Sequence, residues 1–363
     1  MKKSSAISCS VKSVQIVRSL FDEDYSPIKK AAVDLSNSEN PLGCSIAVTQ
    51  AIASGFSLIS KYPEKFYPDL IDSLSHFHNI PTGRFVVGVG ANGILQACVK
   101  SFVGRNNTVV MPSFSFMTPA YGATAMGGGA ILAPMKNNLS IDLDALLDSI
   151  RANTRLIFLC NPNNPTGQYT SAKDLLEFAK RTELPVLVSE ANVEYAGESL
   201  LEHYPDWPSN LIVARSFSKA YGLAGLRVGY GVCNANVARL LNSHNSPFTV
   251  TTLSQIAAIA ALKDQDHLRK SVSFMTQERL FLEGEIRKLG LDIVPSQANI
   301  FLIKLPSSAG RATKVAAKLY ELGCSVVDCS AYGKTGQQYI RVSPRKRDVN
   351  SLFLEKFRNI LGR

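Results

Sequence analysis

Ser216-Phe217-Ser218-Lys219-Ala220-Tyr221-Gly222-Leu223-Ala224-Gly225-Leu226-Arg227 sets a lysine between hydroxyl residues and a glycine-rich turn, with an arginine eight positions on. A lysine amine forms a Schiff base with a carbonyl cofactor where its surroundings favour the neutral form. The serine hydroxyls and the guanidinium are the donors that a phosphate dianion needs. A second stretch, Gly88-Val89-Gly90-Ala91-Asn92-Gly93, is a literal G-x-G-x-x-G between an apolar run and a helical pattern. A dinucleotide site would place an acidic residue about twenty positions further on, and 105–117 contains neither Asp nor Glu. What remains is a helix start whose free backbone N–H groups suit a phosphate, with Asn92 as the expected cap. A third stretch, Asn161-Pro162-Asn163-Asn164-Pro165-Thr166-Gly167, follows a buried run, at the end where open α/β sheets bind ligands. Taken singly, the second and third stretches would also suit plain turns, and the first an exposed lysine at a helix start.

The elements that must position these residues are legible as alternating apolar runs and helical patterns. Strands are predicted over 85–89, 108–111, 130–133, 156–159, 186–188 and 211–213, with a helix over 93–99. The runs are apolar on both parities, as in strands buried on both faces. An α/β architecture with a mostly parallel central sheet follows. After Leu253 the pattern changes: one long helical pattern runs through Leu262 and Met275 toward Leu289. Strands over 299–303, 325–327 and 339–342 and helices over 312–322 and 349–361 then build a small α+β domain. The expected division is an N-terminal segment, 1–45, joining that small domain, a large domain over 46–255, and the small domain over 256–363.

Composition narrows the class. The 363 residues exceed what one core usually holds, and 45% hydrophobic with 19% charged residues is an ordinary globular balance. The lysine-rich start lacks an apolar h-region, and no apolar run is long enough to span a bilayer. Seven cysteines without a C-x-x-C pair read as free thiols of a reducing, cytoplasmic compartment. His76 and His78 are two apart, on different faces of a helix, which is poor metal-ligand geometry; no metal is expected. The net charge of +10 is spread along the chain, which suits phosphorylated or carboxylate substrates better than nucleic acid.

Together the stretches resemble fold-type-I pyridoxal-phosphate enzymes of the aspartate-aminotransferase fold, and within them the histidinol-phosphate aminotransferase family. Leu35-Ser36-Asn37-Ser38-Glu39-Asn40-Pro41-Leu42-Gly43, Lys61-Tyr62-Pro63, Pro247-Phe248-Thr249-Val250 and Ser296-Gln297-Ala298-Asn299 extend the likeness over nearly the whole chain. The resemblance implies that Lys219 holds pyridoxal 5'-phosphate as a Schiff base and shuttles protons. It implies a phosphate cup from Ser216, Ser218, Arg227, Ala91 and Asn92, completed by Tyr62 of a neighbouring subunit in a homodimer. It implies that Asn164 meets the phenolic oxygen, Phe114 stacks on the pyridine, Arg341 grips the substrate carboxylate, and Asn40 contributes to substrate binding. The activity implied is amino transfer between an amino acid or phosphorylated amino compound and a 2-oxo acid.

The chain departs from that family in two places. Where the family has "VDEAY", this chain has Val188-Ser189-Glu190-Ala191-Asn192. The aspartate facing the pyridine nitrogen is thus Ser189, and the tyrosine near the phenolic oxygen is Asn192. Glu190 cannot stand in, because neighbouring strand residues face opposite ways. A neutral hydroxyl supports the ring as an electron sink less well, so the alternative is a decarboxylase, like the threonine-phosphate decarboxylases, or a lyase or replacement enzyme. Near Val326-Val327-Asp328 the chain also lacks the arginine that the family uses for its substrate.

Overall fold

The computed structural model describes residues 31–362; the lysine-rich start and Cys9 lie outside them. A short strand, β1 (Val33–Asp34), is followed by seven strands of a central sheet. These are β2 (Phe85–Val89), β3 (Thr108–Pro112), β4 (Gly129–Ala133), β5 (Thr154–Cys160), β6 (Val186–Ser189), β7 (Leu211–Ser216) and β8 (Val228–Cys233). Their order is β2-β8-β7-β6-β5-β3-β4. Strands β3 to β7 run parallel, while β8 is antiparallel to both β7 and β2. One face packs Val110, Ile157, Val188 and Val213; the other packs Phe158, Leu187, Ile212 and Ala214. Alternation along each strand therefore sends consecutive residues into separate cores.

All six strands predicted within this sheet are present. The sequence reading missed β8, because Gly229 and Gly231 interrupt its apolar run. Those glycines serve close packing: a Cβ would stand 2.5 Å from Ala91 N at Gly229 and 2.8 Å from an Ile94 methyl at Gly231. Both neighbours belong to helix α1 (Gly90–Phe102), which lies across the sheet. The long pattern after Leu253 is also broken into two helices, Thr252–Lys263 and α2 (Gln265–Lys288). Asp264 makes the break by accepting a hydrogen bond from His267 N at 3.0 Å, which caps the second helix.

The remaining strands are β9 (Phe301–Lys304), β10 (Cys324–Ser325), β11 (Val327–Asp328) and β12 (Tyr339–Val342), with helices α3 (Ala312–Glu321) and α4 (Arg347–Leu361). Leu282 and Ile286 of α2, Phe301 and Ile303 of β9, and Phe353 and Phe357 of α4 form a third core that includes Val33 and Leu35. Strand β1 adds to it by pairing in parallel with β10. Glu278 of α2, 6% exposed, accepts from Arg347 Nε and Nη2 and from Asn350 Nδ2, clamping α4 onto α2.

The segment carrying Lys219 is held by backbone geometry. Gly222 has φ +75°, and a Cβ there would lie 2.2 Å from Gly43 O. A left-handed conformation and a backbone neighbour both exclude a side chain. Gly222→Ala should lower stability by more than about 2 kcal/mol, read as a lower urea midpoint at unchanged m value; an unchanged midpoint would show that the turn relaxes freely.

Candidate active site

Strands β5, β6 and β7 end side by side at their carboxyl edge, as Cys160, Ser189 and Ser216. Beyond them opens a cavity of about 340 Å³. Of the residues singled out from sequence, Ala91, Asn92, Asn164, Ser189, Asn192, Ser216, Ser218, Lys219, Arg227 and Arg341 all line it. A larger cavity of about 570 Å³ lies on the other side of the sheet, around Arg215 and Glu194. Arg215 there bonds Glu194 at 2.7 Å and Ser199 at 2.8 Å, so its buried charge already has partners. The cavity holding a lysine beside phosphate donors is the candidate.

One end of this cavity is a cradle for an anion. Helix α1 begins without a side-chain cap, so its first N–H groups remain available. This corrects the expectation that Asn92 caps the helix; Val89 is the N-cap and Asn92 lies inside the first turn. Gly90, at φ +66°, leaves space for Arg227, whose Nη2 would stand 2.9 Å from a Cβ. Arg227 Nη1 in turn donates to Ser218 Oγ at 3.3 Å, and Ser218 N donates to Ser216 Oγ at 3.1 Å. These groups converge from α1, β7 and the following loop, three elements that only the fold brings together.

Lys219 Nζ donates to Ser38 Oγ at 2.5 Å. Burial lowers its pKa to about 8, helped by the Arg341, Arg227 and Arg345 charges and opposed by Glu39. Ser38 is 181 positions away in sequence, and no local signal marks it as the lysine's partner. At the other end, Arg341 Nη1 donates to Asn164 Oδ1 at 2.8 Å, and its Nη2 bonds Ser36 O. Arg341 Nε and Asn192 Oδ1 are buried with no partner among the described residues. Buried polar atoms left in this state mark places where a ligand completes the bonding.

Two of the expected site residues, Phe114 and Asn40, stand elsewhere. Phe114 does not face the cavity; it packs edge-on against Tyr332 at 4.8 Å in an apolar cluster with Leu139, Val294 and Leu302. The aromatic wall is Phe116, two positions on, because the turn after β3 points Phe114 inward. Asn40 is a tie and not a cavity residue: its Nδ2 donates to Ala220 O at 2.9 Å and Ser271 Oγ at 2.8 Å. Tyr62 lies outside the cavity, 85% exposed, with its ring 5.1 Å from that of Phe248. Glu190 does face away from Ser189, where it accepts from Ser199 Oγ at 2.5 Å and Leu200 N at 2.8 Å. Val327, at the place where the resemblance implies an arginine, is paired with Arg341 and packs into the Phe114 cluster.

Comparison with known proteins decides the family. The family model of class I and II aminotransferases matches residues 30–357. The chain belongs to this family. A histidinol-phosphate aminotransferase of Methanococcoides burtonii is 33% identical over 346 residues, covering 94% of each chain. The aminotransferase's fold is shared by the histidinol-phosphate aminotransferase of Sinorhizobium meliloti, solved with pyridoxal-5'-phosphate, at TM-score 0.83 and 24% identity over 99% of both chains. L-threonine-O-3-phosphate decarboxylase of Porphyromonas gingivalis shares it too, at TM-score 0.79 and 20% identity over 91% of this chain and all of that one, 100%. The aspartate-aminotransferase fold read from the sequence is thus the fold of this aminotransferase.

The lowered pKa of Lys219 generates a test. Its amine becomes neutral as pH rises through about 8, so labelling by an amine reagent, followed by peptide mass spectrometry, should reach half-maximum there. Arg341→Met removes a nearby positive charge, and the midpoint should move up. A midpoint that stays in place would exclude Arg341 as a cause.

Proposed function

We propose that this aminotransferase binds pyridoxal 5'-phosphate in the Lys219 cavity and transfers an amino group between an amino acid, or a phosphorylated amino compound, and a 2-oxo acid. The carrying observation is the convergence of a lysine of lowered pKa with an uncapped helix start and with Ser216, Ser218 and Arg227. The residues present fit the cofactor: donors for a phosphate at one end, the Phe116 ring as a wall, and Asn192 Oδ1 unpartnered.

The cofactor supplies an electrophilic carbon and a ring that takes up electron density from the substrate. The chain does the rest. Ser216, Ser218, Arg227 and the first turn of α1 bind the phosphate. Asn164 and Asn192 would meet the ring's polar edge. Lys219 Nζ would hold the cofactor and, as a neutral amine, would move the proton at the substrate's Cα. Arg341, fixed by Asn164 and Ser36, pairs with the substrate carboxylate.

The assembly proposed is a homodimer with shared sites. Tyr62 is presented outward, and Ile46, Phe56, Ile59 and Phe66 of the same stretch of chain are each more than half exposed. An apolar group of this kind suits a second copy of the chain, whose phosphate cup Tyr62 would reach. A cytoplasmic setting is in keeping with the six free cysteines among the described residues and with the absence of any described helix long and apolar enough to cross a membrane. The decarboxylase alternative has fold likeness at 20% identity, whereas the relatives of higher identity are named aminotransferases.

In Lys219→Ala, borohydride should fix no cofactor to the protein; a persisting adduct would place the attachment elsewhere. Arg341→Ala should raise KM for amino-acid donors by on the order of 10- to 100-fold with less change in kcat, and unchanged kinetics would remove the arginine from substrate binding. Lys219→Ala and Tyr62→Ala subunits, each inactive alone, should regain activity when mixed, because one of the two shared sites is then intact. No recovery on mixing would argue against sharing. Carbon dioxide released without a keto product would transfer the reading to the decarboxylase.

A further inference from the structure

The wall of the Lys219 cavity at the strand ends is electrically neutral. The register of β5 and β6 sets Cys160 beside Ser189, and the two are 4% and 3% exposed. Burial raises the Cys160 thiol to about 11, with the neighbouring Asn164 backbone, the Ser189 hydroxyl and the Lys219 charge opposing the rise. The sulfur therefore keeps its proton and donates it to Pro162 O at 3.4 Å. Asn164 and Asn192 add amides to this wall and no charge. The hydroxyl of Ser189 lies against the Cys160 sulfur, a weak acceptor, so its proton is available to a better one.

Charge elsewhere in the cavity does not compensate. Arg227 and Arg341 bring two guanidinium charges and Glu39 one carboxylate, while Lys219 is held toward its neutral form. Glu39 is at the rim, its side chain 56% exposed, 3.5 Å from Arg345. The buried carboxylate nearest in sequence, Glu190, is committed on the other side of the sheet to Ser199, Leu200 and Arg215. A basic ring nitrogen placed at Ser189 thus meets no buried carboxylate among the described residues, while burial and the Arg227 and Arg341 charges disfavour its protonated form. In pyridoxal 5'-phosphate that nitrogen lies across the ring from the carbon that a lysine engages. With the phosphate in the Ser216–Arg227 cradle, the strand-end wall is what remains for it.

We propose that Ser189 donates a hydrogen bond to an unprotonated pyridine nitrogen of the bound cofactor, and so holds the ring neutral at that end. The inference rests on the cofactor assignment above. It makes Ser189 a determinant of how strongly the ring draws electrons from Cα. The burden of favouring proton loss then shifts toward Lys219 and the substrate-binding Arg341.

The test uses holoenzyme reconstituted with cofactor labelled with ¹⁵N in the ring, whose resonance position separates the protonated from the unprotonated nitrogen. The wild-type protein should show the unprotonated position from mildly acidic to mildly alkaline pH. Ser189→Asp should move it to the protonated position, and Ser189→Ala should leave it unprotonated but displaced by loss of the hydrogen bond. A protonated resonance in the wild type overturns the proposal, whether or not either variant folds. Superimposable spectra of the wild type and Ser189→Ala overturn the role of the hydroxyl. Failure of borohydride to fix the cofactor on Lys219 of the wild type is a separate readout, which overturns the cofactor assignment and this inference with it.

Discussion

Placing the Lys219 amine in a buried cavity that also receives Arg341 and Arg227 works against its positive charge, and much of the structure serves to hold it there. Burial and like charge both favour the neutral amine, which is the nucleophilic and proton-accepting form. Three parts of the chain cooperate to keep the geometry. The loop 36–40 supplies Ser38 to the amine, and Asn40 bonds both Ala220 O and Ser271 Oγ. The Gly222 turn closes on Gly43 O. The long helix α2, carrying Ser271, is in turn clamped to α4 through Glu278 and Arg347. The lysine is therefore positioned by contacts far from it in sequence.

The central sheet separates two kinds of polar group by the alternation of its strands. Ser189 and Ser216 point into the cavity, whereas their neighbours Glu190 and Arg215 point the other way and satisfy each other and Ser199. Had the register slipped by one residue, the cavity would hold an ion pair and the far core two hydroxyls. The neutral strand-end wall is thus a consequence of pleat and register, together with the residue types at four positions. The same logic explains Phe114 and Phe116. They share a turn after β3, where Ser115 Oγ donates to Asn163 Oδ1 at 2.6 Å and Asn163 Nδ2 donates to Phe114 O at 2.9 Å. This bracing fixes Phe114 toward Tyr332 and leaves Phe116 at the cavity.

Much of the fold was legible because buried parallel strands are apolar on both faces and stand out between helical patterns. Strand β8 was not, since close packing of α1 requires Gly229 and Gly231 where an apolar signal would have been. The helix break at Asp264 was hidden for a related reason: a single capping side chain divides a pattern whose apolar period continues across it.

By itself, the amino-acid sequence determined the lysine, its hydroxyl and arginine companions, the glycine-rich helix start and the strand that delivers each of them. These are local matters, written in residue type, spacing and periodicity. Tertiary structure alone decided that Ser38 meets Lys219, that Arg341 is steered by Asn164, and that Asn40 ties segments together. It also decided that Phe116 forms the wall and that, among the described residues, no buried carboxylate faces Ser189. Each of these depends on which way a side chain points once distant segments pack, and a neighbour some 180 positions away leaves no trace in local spacing.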